Sequence, residues 1–287
     1  MATTIIANRH LVEAPPTGQR RYGLFDVATV TDNLSARMMA AGIQFPELDC
    51  GPALDEYDAN CTTHPAKEFS EGLEYAGGDP YWLYSQNRCG TVGRTPAEIT
   101  DAIRRTLAAG EQTAVENVVW NGGDYATDPA LTTATGVVTV TPAALGAGAA
   151  LAALEASFYA VYGYTGVLHV NTAAHAALND YVDRRGSAGA LSTELGTRVA
   201  YGAGYGIDGP LGVAPAAGSV WAFMTPPVQV RRSEIIVPDV LMTLDRLANQ
   251  YHALAERVYL HAWACDVVHA VQIPVAAPQA VIIPAGP

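Results

Sequence analysis

The stretch 95–123, TPAEITDAIRRTLAAGEQTAVENVVWNGG, restricts the possible fold more than any other part of the chain. Thr95 is placed to cap a helix, Pro96 suits its first turn, and Glu98, three after the cap, completes a capping box. Ile99, Ile103, Leu107, Gly110, Ala114 and Val118 then recur at spacings of 4, 4, 3, 4 and 4, which marks one helix face. Arg104, Arg105, Glu111, Gln112 and Glu116 fall on the other sides, and Asn121-Gly122-Gly123 stops the helix. About 24 residues at ~1.5 Å each make a rod of roughly 35 Å. Such a rod is a backbone on which the rest of the chain must pack.

Around it the pattern is mixed. Residues 80–93 read as a strand, with Tyr81, Leu83 and Ser85 alternating against Trp82 and Tyr84. A strand is expected at 136–142, and Thr141-Pro142 opens a second helix through Leu145, Leu151, Leu154, Phe158 and Val161 to Gly163. Residues 165–171 read as a strand and 172–182 as a short helix. Further strands are expected at 198–201, 220–224, 228–231 and 235–237, with an antiparallel look. Segment 244–266 is Leu- and Ala-rich, so propensity favours a helix without deciding it, while 267–275 is β-branched and reads as a strand. Helices and strands that do not alternate regularly indicate an α+β fold, not a doubly wound parallel sheet.

Composition narrows the function. The 287 residues include 28 acidic and 16 basic side chains, a net charge of −12. That balance argues against a surface built to grip nucleic acid. Charge, Gly and Pro break every long apolar run, so no membrane span is expected, and the N-terminus does not read as a secretion signal. From Glu47 to Asp79 nine acidic residues face only Lys67, the single lysine of the chain. A stretch like this cannot build its own core; it is a solvated loop or an arm ordered by a neighbour.

Catalytic signatures are missing: there is no GxSxG, no P-loop and no HExxH. Gly204-x-Gly206-x-x-Gly209 has dinucleotide-loop spacing, but Pro210 follows at once and Gln229 stands where an acidic residue is needed, so a loop between two strands is expected. Asp55, Glu56 and Asp58 read as solvated carboxylates, and His169 and His175 as structural groups. His261, Cys265 and His269 share a face whether the segment is helix or strand. On a strand, however, successive members stand ~13 Å apart, too far to share a metal. Cys50, Cys61, Cys89 and Cys265 lack CxxC spacing; buried free thiols are expected, with a zinc site or disulfide among the first three as the alternative. Lys67 reads as an ordinary exposed lysine, the alternative being an isopeptide bond to an Asn or Asp. The expectation is therefore no enzyme, and no catalytic, cofactor-binding or metal-binding residue.

Three stretches in order carry a resemblance: 95–123, already quoted; LGTRVAYGAGYGIDGP at 195–210; and GSVWAFMTPPVQVRRSEIIVPD at 218–239, followed by a similar ending at 245–271. They resemble the major capsid proteins of tailed bacteriophages, the Hong Kong 97-type fold, and in particular the group infecting actinobacteria. The resemblance implies an N-terminal arm (1–46), an extended loop reaching over a neighbouring subunit (47–90), and a peripheral domain (91–140 and 240–275) built on the long helix. It also implies an axial domain (141–239) meeting its copies around five-fold and six-fold axes, and a C-terminal tail (276–287). It makes 245–271 strands, and it makes the glycines an axial hairpin loop close to subunit backbones. Copies would assemble as hexamers and pentamers into an icosahedral shell around double-stranded DNA held without sequence-specific contacts, in the virion capsid and assembled in the bacterial host cytoplasm.

Scaffold, portal and decoration proteins are the further partners the resemblance brings. No long charged scaffolding segment begins this sequence, so a separate scaffold or none is implied. Some relatives crosslink a loop lysine to an asparagine, which makes Lys67 the residue to watch. The alternatives are an encapsulin-like compartment, a decoration or tail accessory protein, and a soluble enzyme with a site around His169, His175 and Asp180.

Overall fold

The structure is a computed structural model that describes residues 18, 20–46, 75–90, 95–123, 129–184, 190–238 and 244–275. In chain order the elements are α1 (Leu24–Val27), β1 (Thr29–Leu34), α2 (Ala36–Met39), β2 (Ile43–Pro46), β3 (Tyr75–Gly78), β4 (Tyr81–Gly90), α3 (Pro96–Asn121), β5 (Val138–Thr139) and α4 (Ala147–Tyr159). They continue with β6 (Val167–Asn171), α5 (His175–Leu178), β7 (Val182–Arg184), β8 (Leu191–Thr193), β9 (Arg198–Gly202), β10 (Ser219–Thr225), β11 (Val228–Ser233), β12 (Leu244–Asp245), β13 (Gln250–Trp263) and β14 (His269–Pro274).

Helix α3 begins where its capping box places it. Thr95 Oγ1 accepts from Glu98 N–H at 3.3 Å, and Glu98 Oε2 accepts from Thr95 N–H at 2.7 Å. Its buried face is Ile99, Ile103, Leu107, Glu111, Val115, Val118, Val119 and Trp120. The expected face holds at Ile99, Ile103, Leu107 and Val118 but not between them: Gly110 is exposed, and Glu111 and Glu116, expected on the outer sides, are buried. Steps of four residues advance about 400°, so the stripe drifts around the rod and stays on a sheet that twists beneath it.

Two main sheets hold the rest. The first runs β1-β11-β13-β12, with β4 paired to the other side of β13 over ten residues. The second runs β5-β14-β10-β6-β9-β8-β7, and β2 and β3 form a separate pair. Pairs β1/β11, β6/β9 and β5/β14 are parallel, so the sheets are mixed where an antiparallel look was expected. A shared core lies between the two sheets and the second half of α3, including Trp120, Tyr205, Trp221, Phe223, Tyr259 and Trp263. Helix α4 covers the far face of the second sheet with Leu151, Leu154 and Phe158.

Several local expectations change. Segment 250–263 is one long strand despite its helical propensity, because β4 pairs along one side while β11 and β12 pair along the other. Helix α4 starts behind Gly146 at φ 118°, not at Thr141-Pro142. Of 235–237 only the single bridge Ile236↔Glu256 forms. Sheet membership also crosses position 239: β11 pairs with β13, and β14 pairs with β10.

Candidate functional site

The glycine-rich loop between β9 and β10 lies against the middle and end of α3. A Cβ on Gly204 would stand 1.9 Å from Thr113 O, and one on Gly206 would stand 2.9 Å from the Trp120 ring. A Cβ on Gly209 would meet Trp221 at 2.3 Å. The three glycines thus let a loop backbone touch a helix backbone and two indoles. The subunit backbone that they approach is the chain's own. The chain then turns through a short 3₁₀ segment, Pro210–Gly212, into β10.

Glu116 fastens this junction. Its carboxylate is fully buried and accepts from the Arg20 guanidinium at 2.6 Å on both oxygens, from Leu24 N–H at 3.1 Å, from Gln112 at 3.1 Å and from Gly204 N–H at 3.0 Å. Arg20 also donates to Tyr201 O at 2.6 Å. One carboxylate therefore joins the segment at Arg20 and Leu24, the long helix and the loop, and its lone pairs are spent on doing so. Glu111 does the same work on the first sheet. It accepts from Arg232, from Arg257 at 2.8 Å and from Tyr259 O–H at 2.6 Å, while Arg232 also pairs with Asp32 of β1. The bond from Arg232, more than its charge, lowers the Asp32 pKa.

Inside the second sheet His169 is completely buried, with Nδ1 at 2.8 Å from Tyr205 Oη and Nε2 at 2.9 Å from Thr225 Oγ1. Thr225 donates its proton to Pro226 O at 2.8 Å, so it accepts from Nε2–H, and Tyr205 donates to Nδ1. Burial, and secondarily His261, pushes the His169 pKa down to about 3. His261 Nε2 lies 2.5 Å from Pro129 O, and burial takes its pKa down to about 4. Glu155 on α4 accepts from Thr193 and Thr197, each at 2.6 Å, tying that helix to β8 and to the end of its turn. Such groups lock geometry; a neutral, doubly bonded histidine has no free nitrogen for proton transfer.

The residues singled out from sequence do not converge. His175 is exposed and lies edge-on to Tyr201, at 5.2 Å between ring centres. It lines a cavity of about 250 Å³ whose walls include neither His169 nor Asp180. His261 is in β13, His269 bonds Ser157 at 2.9 Å from β14, and Cys265 sits between them at φ 67°. Among the described residues no group of three His, Cys, Asp or Glu side chains is arranged to hold a metal, and no helix is long and apolar enough to cross a membrane. Cys265 is disulfide-bonded, which corrects the free-thiol expectation there; spacing along the chain does not reveal which cysteines meet in space. Asp55, Glu56, Asp58, Cys50, Cys61 and Lys67 lie outside the described residues. The buried hubs Glu111 and Glu116 are the residues that charge alone assigns to the outer sides of the helix, although Glu111 sits four residues after Leu107 on the same stripe.

No protein-family model matches the chain, and no curated protein does. Solved structures do match. The capsid of a native GTA particle, computed with C5 symmetry, is similar over 94% of this chain and 96% of its own, at TM-score 0.56 and 11% identity. A chain from Mycobacterium phage Adephagia covers 96% and 97% at TM-score 0.54 and 11% identity. One from Mycobacterium phage Bobi covers 96% and 97% at TM-score 0.53 and 14% identity. These likenesses define the class by architecture: the chain has the α+β phage-capsid fold, of the Hong Kong 97 type.

Proposed function

We propose that this chain is a structural major capsid protein, self-assembling as hexamers and pentamers into an icosahedral shell around phage DNA. The observation that carries the reading is the end-to-end similarity to the GTA capsid, about 95% of both chains. The interior supports it, because the buried carboxylates of Glu111, Glu116 and Glu155 are spent joining helices, strands and loops. In this reading 1–46 is the arm, 47–90 the extended loop, 91–140 with 240–275 the peripheral part and 141–239 the axial part. Strands β11 and β14 pair across that division, so main-chain hydrogen bonds tie the two parts together. Scaffold, portal and decoration proteins are its further partners. DNA lies inside without sequence-specific contacts, and assembly takes place in the host cytoplasm. Negative-stain microscopy of the concentrated protein is the test. Closed shells of uniform diameter are expected, and a species that sediments at 30 kDa under every salt condition would end this reading.

A further inference from the structure

The loop 207–213 displays apolar side chains in an unusual way. Leu211 has φ 56° and ψ 29°, the left-handed region that leucine rarely adopts, and its side chain is 81% exposed. Ile207 and Val213 on the same loop are also about half exposed. The backbone is nevertheless tied down. Leu211 N–H donates to Thr132 O at 2.7 Å, Gly209 N–H to Val213 O at 2.8 Å and Trp221 N–H to Ile207 O at 3.2 Å. The Trp120 indole N–H donates to Asp208 O at 3.1 Å, and Gly209 lies under Trp221. Strain at an exposed leucine gains the isolated chain nothing, and strain held this firmly marks a working position.

Asp208 is the one charged residue from Ile207 to Val230 and it is acidic, so the loop offers nothing to DNA phosphates. A rigid apolar projection suits a protein partner, since a side chain fixed beforehand loses little freedom on docking. We propose that 207–213 is a contact between copies of this chain, with Leu211 as the anchor seated on apolar surface of the neighbouring copy. The choice of a second copy rests on the shell reading above, and on a similar capsid whose copies are related by C5 symmetry.

Leu211→Gly tests it cleanly, because glycine favours the left-handed backbone and only the exposed side chain is lost. The variant should equal or exceed the unsubstituted protein in thermal midpoint. The protein concentration at which shells appear by sedimentation should rise at least tenfold. An unchanged assembly concentration overturns the proposal. A benzophenone amino acid in place of Leu211 in the full-length protein gives a second readout. A copy-to-copy crosslink at high concentration supports the contact, and its absence overturns it. That readout holds even if no closed shell forms, an outcome that would sink the shell reading by itself.

Discussion

Glu111 occupies an apolar stripe, and its burial makes the whole first sheet depend on charge pairing. Its partners Arg232 and Arg257 are themselves largely buried, so removing the carboxylate leaves two guanidiniums in a poor solvent. Glu111→Ala should lose about 3–5 kcal/mol in urea unfolding of the unassembled protein. Replacing Glu111, Arg232 and Arg257 together by apolar residues of similar volume should cost less than that single change. The buried histidines set the acid limit. Unfolded, they take up protons near 6.5; folded, His169 does so only at about 3 and His261 at about 4. Between those limits the unfolded state binds more protons, so stability falls as pH falls, by about 1.4 kcal/mol per pH unit for each histidine. Asp32, with its lowered pKa, adds a loss of the same sign at lower pH. The urea midpoint should therefore drop steadily from pH 6.5 toward pH 4, and His169→Gln should flatten the slope by about one proton. A flat profile would show that these histidines are not held neutral.

At the scale of elements, the same substitution has opposite signs on and beside α3. Gly110 is on the exposed face with open space around it, so Gly110→Ala should stabilise by about 0.5–1 kcal/mol. Gly204→Ala forces a methyl to 1.9 Å from Thr113 O and pushes the loop off the helix, at a cost of about 3 kcal/mol. Thermal midpoints of the two variants should move apart, and a neutral Gly204→Ala would refute the close packing. Helix α3 was legible because its start is written within four residues: Thr95, Pro96 and Glu98. The start of α4 was not, since Thr141-Pro142 offers a similar opening, while the helix waits for Gly146 at φ 118°. Nor was β13, whose Leu- and Ala-rich sequence is overruled by partners on both edges.

Taken as a whole, the molecule carries −12 charges that assembly must crowd together. Salt screens such repulsion, so shell yield at fixed concentration should rise as ionic strength goes from about 10 mM to about 0.5 M. A yield that falls with salt, followed by light scattering, would point instead to contacts made mainly by opposite charges. The sequence by itself determined the long capped helix, the α+β class, about half of the described strands and the resemblance to capsid proteins. The helix, the class and the strands are recorded in short-range periodicity, caps and turn residues, whereas the resemblance rests on the stretches at 95–123, 195–210 and 218–239. Only the tertiary structure decided which sheet receives β11 and β14, which carboxylates are buried and what the three glycines are for. Arg20 meets Glu116 across 96 positions and Tyr201 across 181. Contacts at that range depend on how whole elements stack, and no local pattern encodes them.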